Sequence, residues 1–363
     1  MSRVPLPELP GRIPDSQSEG RLTALRREAA QSGVFLGKGV LPQGAPFPHA
    51  SPTTGYYGVP LLKKPQWNPE VQLYFFVGGA AGASAVIAEM ASWFGNDREL
   101  VRSARWMAAG GGALSSALLI KDLGVPSRFL NMLRVFKPQS PMSMGAWTLS
   151  AFSSFSAAAA FANLMQEKLG PSIAIRIVEN AAGLLATATG LVMASYTGVL
   201  IGATVIPVWN ENVGTLPQHF AASGLNSAVS LLELFGQDDS RALNLIGISA
   251  SCYEVAEGLL LERKRHRINE PLRKGWSGAI VRAGGVLSGP VPMALRLAYA
   301  VSGKKKLRRA AAWSSIAGSL LTRFGWVHAG RASARDHRIP LELPESTAEI
   351  RKTSHQIALQ KPA

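Results

Sequence analysis

The pattern of apolar and polar positions changes character near residue 70. Before it, apolar residues are scattered, and Pro5, Pro7, Pro10, Pro14, Pro42, Pro46 and Pro48 interrupt the backbone at short intervals. That pattern predicts an extended, partly disordered tail. One helix is expected within it, over Ser18 to Gln31, where Leu22, Leu25 and Ala29 share a face and Arg21, Arg26 and Arg27 lie mostly off it. Tyr56, Tyr57 and Trp67 then bring aromatic residues toward an interface. From Leu73 onward the chain holds apolar runs of about twenty residues, each long enough to cross a bilayer as a helix. Eight spans are expected, over 73–94, 100–120, 144–166, 173–208, 216–235, 242–261, 276–301 and 310–329. The fourth exceeds one bilayer thickness with no polar turn to divide it, so a single tilted helix projecting from the membrane is expected there. Gly289, Pro290 and Pro292 should kink the seventh.

The fold class is therefore all-α: a polytopic integral membrane protein with about eight transmembrane helices in a bundle. Residues 1–66 form a polar, Pro/Gly-rich N-terminal tail, 67–330 the transmembrane domain and 331–363 a polar C-terminal tail. Eight crossings put both termini on one side. Arg263, Lys264, Arg265, Arg267, Arg273 and Lys274 favour a cytoplasmic terminus side, although Lys304, Lys305, Lys306, Arg308 and Arg309 fall opposite. On that balance the termini are expected in the cytoplasm.

Averaged composition hides this division. A net charge of +15 and a mean hydropathy of +0.11 describe a soluble basic protein, because the tail and the apolar runs are pooled. Since Lys and Arg cluster between apolar runs, anionic lipid and topology account for them, and nucleic acid is not an expected partner. Cys252 is the single cysteine, so the chain can neither close an internal disulfide nor ligate an iron-sulfur cluster. Of six histidines only His219 and His328 lie in or beside apolar runs, too few for the four axial ligands of a two-haem cytochrome. No metal site is expected. No secretory signal is expected either, since the first apolar run follows a long polar region.

Between the second and third runs lies DLGVPSRFLNMLRVFKPQSPMSMGAW, Asp122 to Trp147. Pro126 stops the preceding helix, and Phe129, Leu130, Leu133 and Phe136 then share a helical face flanked by Arg128, Arg134 and Lys137, as in a short interfacial helix. Asp122 is held at the membrane edge, with Lys121 and then Arg128 its nearest cations in sequence. Ser140 and Pro141 read as N-cap and N1 of the third span. This stretch resembles the polysulfide reductase membrane-subunit (NrfD-like) family, through Asp122-Leu123-Gly124-Val125-Pro126-Ser127-Arg128-Phe129 and Ser140-Pro141-Met142-Ser143-Met144-Gly145-Ala146-Trp147. Tyr196-Thr197-Gly198, Pro207-Val208-Trp209-Asn210, Leu216-Pro217 and Ser223-Gly224-Leu225 agree in order, so the resemblance covers about Tyr57 to Gly330.

The resemblance implies a non-autonomous subunit of a respiratory oxidoreductase in the bacterial cytoplasmic membrane, exchanging electrons between quinone (menaquinone or ubiquinone) and a ferredoxin-like iron-sulfur subunit. A catalytic molybdopterin or multihaem subunit would complete the complex, with no haem or cluster in this chain. The family's quinone-associated positions, a polar side chain opening the first helix and a tyrosine in the fourth, look like Tyr74 and Tyr196. Their hydroxyls can serve a quinone's carbonyl oxygens within an apolar slot, and both reach the leaflet that holds Asp122, Trp147 and Trp209. Intramembrane ionisable groups are costly and need a partner or a purpose. Glu254 and Glu257, three apart on one face, are read as a carboxylate pair holding a proton between them and relaying protons to quinone, or as packing partners of Arg282 or Arg323. Glu89, Glu179 and Glu233, with Arg176 and Arg296, fall in the opposite half. A secondary transporter also suits glycine-rich helices with buried carboxylates, but its inverted repeat is not seen. A structural anchor without quinone chemistry is the third class.

Overall fold

Helix boundaries are set by residues that compete with, or release, backbone hydrogen bonds. The computed structural model describes residues 62–336, apart from Asn96, Gly124 and Arg265, together with Ala24, which is helical. The expected helix over Ser18 to Gln31 otherwise lies outside the described residues. Helix α1, Pro69–Phe94, opens on a proline whose missing N–H costs nothing at a helix start. In α2, Arg98–Asp122, the Asp97 carboxylate accepts from Leu100 N at 3.0 Å. Ser140 Oγ caps α3, Pro141–Leu169, by accepting from Ser143 N, as its sequence position predicted. Then follow α4, Ile173–Gly202, α5, Leu216–Leu234, and α6, Arg241–Arg263, the last capped by Ser240. Gly289 and Pro290 divide the seventh rod into α7, Gly275–Ser288, and α8, Pro290–Ser302, at the predicted kink. Gly303 adopts φ 68°, a left-handed turn that suits glycine, and leads into α9, Lys305–Arg335. The described residues contain no strand.

Two expectations are corrected. The fourth apolar run is not one helix to Val208. Helix α4 ends at Gly202, because Pro207 disfavours helical backbone at Ile206, which is extended (ψ 120°), and Pro207–Asn210 forms a separate turn. The interfacial helix after Asp122 is also shorter than its apolar periodicity. It comprises a 3₁₀ turn, Pro126–Arg128, and Phe129–Met132, after which Ser143 Oγ ties the backbone of Val135 and Lys137 to the start of α3. Phe136 falls outside it, and Leu130 is 68% exposed.

Among the described residues three rods are long and apolar enough to cross a membrane: Pro69–Phe94, Ile173–Gly202 and Gly275–Ser302. Helix α1 packs against α2, α4, α5 and α9, and α5 packs against α1, α4, α6 and α9, so these two join α1–α4 to α6–α9. Close approach is purchased with glycine: a Cβ at Gly190 on α4 would stand 2.7 Å from the Gly82 carbonyl oxygen on α1, and one at Gly224 on α5 would stand 2.9 Å from that of Gly79. Phe75, Leu149, Phe152, Met193 and Phe220 fill the space so enclosed.

Short connections place the α1–α2, α3–α4, α5–α6 and α8–α9 turns at one end of the molecule. Two buried charge clusters lie toward that end. In one, Arg105 contacts both Glu89, at 3.5 Å, and Glu179, which also accepts from Asn163 and Gln166. In the other, Glu233 accepts from Arg296 at 2.5 Å and Arg308 at 2.8 Å, all three fully buried. Arg176 lines a polar cleft at this end together with Glu179, Asn163 and Gln166 of the first cluster.

Candidate functional site

At the opposite end, the start of α1 and the end of α2 are tied by polar contacts. Asn68 Nδ2 donates to Asp122 Oδ1 at 2.9 Å, and Lys121 pairs with Glu70 at 3.0 Å. The cations nearest to Asp122 in sequence are therefore not its partners, since the helix turn directs Lys121 toward α1. Beside this tie lies a cavity of about 180 Å³ bounded by α1 to α4 and the short helix after Pro126. Tyr74, Asp122 and Tyr196 all line it, with Trp67, Phe129 and Gly145.

Tyr74 is buried, its hydroxyl 4.0 Å from the Met193 sulfur, a weak acceptor. Tyr196 is buried with its ring against α3, where a Cβ on Gly145 would stand 2.6 Å from the tyrosine oxygen. Its hydroxyl meets the Gly145 backbone without a hydrogen bond of good geometry. A buried O–H in that condition costs about 1–3 kcal/mol unless something else satisfies it. The arrangement is thus a ring-sized apolar space with two phenol donors and one carboxylate at its edge, suited to a flat molecule bearing carbonyl oxygens.

Two expected members are not in the lining. Trp209 is fully buried one layer behind, stacked on Trp67 with centroids 5.0 Å apart, its Nε1–H donating to the Trp326 carbonyl at 2.8 Å. Trp147 faces outward and meets Phe136 edge-on at 6.0 Å. Only Trp209 backs a lining residue, through Trp67.

Glu254 and Glu257 lie elsewhere, on a second cavity of about 350 Å³ among α5, α6, α7 and α9. Phe220, touching Phe75 edge-on and covered by the Arg323 guanidinium at 4.8 Å, stands between the two regions. The two carboxylates have different partners: Glu257 contacts His219 Nδ1 at 2.7 Å, while Glu254 accepts from Asn226 at 3.5 Å. Neither expected arginine forms their ion pair. Arg282 pairs with Glu262 at 2.6 Å, and Arg323 donates to Ser223 and to the Phe220 carbonyl. His219 and Asn226 both lie on α5, so the two carboxylates share the face of α6 turned toward that helix and meet it at different heights.

The sequence reading missed Asn68, Gly145, Arg105 and the His219–Glu257 pair. A signal for two of these was present. Glu89 and Arg105 are equally far from Asp97, and His219 and Glu257 equally far from Asp238, as residues facing across an antiparallel helical hairpin must be.

The family model described as polysulphide reductase, NrfD matches residues 63–237, which takes in α1 to α5 and every residue of the first cavity. The resemblance carried by the two loop elements is thereby shown over that range. No curated protein matches the chain. With its three rods able to cross a bilayer, the chain is an integral membrane protein.

Proposed function

We propose, with that family match as premise, that this chain is the membrane subunit of an oxidoreductase complex and exchanges electrons between the quinone pool and an iron-sulfur subunit docked at the end that bears the first cavity. The single observation that supports this best is the convergence of Tyr74, Tyr196 and Asp122 on one apolar, ring-sized space, from three different helices. A quinone supplies the two-electron chemistry when bound. The chain's part is to hold its carbonyl oxygens by the Tyr74 and Tyr196 hydroxyls, keep water out with Trp67 and Phe129, and bring protons to the edge through Asp122.

In this reading all eight rods cross the membrane, both termini are cytoplasmic, and a molybdopterin or multihaem subunit lies beyond the iron-sulfur protein. Residues 1–66 and 331–363 flank the membrane domain as tails, with α9 carrying that domain on to Arg335. The test is quinol-dependent reduction of the partner by the purified complex. A Tyr74→Phe, Tyr196→Phe double variant should lose at least tenfold in rate while keeping the partner bound. Unchanged rates would leave the chain a structural anchor.

A further inference from the structure

The second cavity belongs to the half of the molecule that the family match does not cover, apart from His219 on α5. Its walls are apolar, from Val255, Leu259, Val286 and Pro290, but its inner side is not. Three side chains there carry a buried polar atom without a well-formed hydrogen bond: His219 Nε2, Glu254 Oε2 and Trp326 Nε1. Glu254 and Trp326 are 4% and 3% exposed, and the Ser288 hydroxyl beside Glu254 leaves Oε2 without a bond of good geometry.

The chemistry of the three atoms selects an occupant. Glu257 holds the His219 Nδ1 side at 2.7 Å, which fixes Nδ1 as the donor nitrogen and leaves Nε2 of the neutral ring as an acceptor. Glu254 Oε2 is a second acceptor, and the Trp326 indole N–H is a donor. Two acceptors and one donor call for a molecule with two O–H groups, one of whose oxygens can also accept. Charge and hydrogen bonding point to a neutral one. Glu254, Glu257 and Glu262 face the cavity and its lining arginine, Arg282, is paired with Glu262 at 2.6 Å, which disfavours an anion, while an organic ammonium offers no acceptor to the Trp326 N–H.

We infer that this cavity is a second ligand site, for a neutral, lipid-soluble aromatic diol, held by His219 Nε2, Glu254 Oε2 and the Trp326 indole. The membrane-borne members of that class are quinols, and the oxidised quinone, which has no O–H to give, binds worse. This inference does not rest on the function proposed for Tyr74 and Tyr196.

The test uses the full chain in lipid nanodiscs and calorimetric titration with 1,5-dihydroxynaphthalene and its dimethyl ether, which keeps the apolar rings and lacks both O–H groups. The diol should bind the wild-type chain and the Tyr74→Phe, Tyr196→Phe variant, with the ether at least tenfold weaker. His219→Gln and Glu254→Gln should each lower diol affinity at least tenfold. Gly285→Leu should abolish binding at this site without disturbing the fold, since Gly285 lines the cavity and a Cβ there meets nothing within 4 Å. Equal affinity for the ether, or no effect of His219→Gln and Gly285→Leu, would overturn the proposal. So would diol binding that the two tyrosine substitutions alone remove, because the diol would then occupy only the first cavity.

Discussion

At the scale of single residues, the first cavity separates function from stability in a way that can be measured. The Tyr196 hydroxyl has no well-formed hydrogen bond, so removing it should not destabilise the chain. We expect Tyr196→Phe to leave the unfolding free energy in detergent unchanged or raised by up to about 1 kcal/mol, with no fall in melting temperature, while quinol-dependent turnover falls. A loss of stability would mean that the hydroxyl serves the fold. Gly145 acts through the same ring: a methyl on it would displace Tyr196, so Gly145→Ala should lower turnover at least as much as Tyr196→Phe, in a protein that still inserts. Much of this cavity was legible. Tyr74, Tyr196 and Asp122 stood out because each is a polar group at the edge of an apolar run. Trp147 and Trp209 were misplaced because sequence gives the leaflet a tryptophan reaches and not the layer it packs in. His219 was passed over because its partner is distant in sequence; only the equal spacing of His219 and Glu257 about Asp238 carries that signal.

At the scale of the helix, the glycine-rich runs show what periodicity cannot decide. Gly82 on α1 and Gly110 on α2 sit in equally glycine-rich stretches, yet the first is pressed against the backbone of Gly190 and the second has nothing within 4 Å of an added Cβ. Gly82→Val should therefore prevent α1 and α4 from meeting, at a cost of about 3 kcal/mol or more. Gly110→Ala should stabilise α2 by about 0.5–1 kcal/mol, since it removes backbone freedom from the unfolded chain and clashes with nothing. Thermal unfolding of the two variants side by side checks the pair, and equal effects would contradict the packing of α1 described above. Most helix positions were predictable to within about a turn because caps and prolines are local, but α9 runs from Lys305 to Arg335, beyond the expected 310–329 at both ends, because charged residues extend it past its apolar run. The end of α4 was not predictable, since hydropathy continues through Ile206 while the break comes from the ring of Pro207.

At the scale of the whole molecule, the two groups of helices are held together by charges as well as by glycines. Glu233, on α5, is fully buried and serves two arginines, Arg296 on α8 and Arg308 on α9, while Arg308 also donates to the Ser240 carbonyl at 2.7 Å. Glu233 falls inside the range of the family match and both arginines fall outside it. The residues matching the family therefore do not contain the partners of all their buried groups: Glu89, Arg105 and Glu179 meet within the range, whereas Glu233 does not find its arginines there. The same is true of Ser223 and Ser227, which bond Ser319, and of Asn226, which donates to the Ser288 carbonyl at 2.8 Å. The described residues from 62 to 336 fall in one compact unit, in keeping with this sharing. Removing one partner from a buried ion group costs about 3–5 kcal/mol, because a charge is left in a medium that cannot solvate it. Glu233→Gln should accordingly be strongly destabilising, and Arg296→Met on that background should recover part of the loss, since it removes one of the two stranded cations. A fragment ending at residue 237 strands Glu233 and the α5 polar groups together, so it should aggregate or fail to accumulate in the membrane. Co-expression with residues 238–363 should restore a monodisperse complex, because the missing contacts lie between helices and need no covalent link. A fragment 1–237 that is monodisperse alone and melts like the intact chain would show that the two groups fold independently and that the Glu233 cluster adds little.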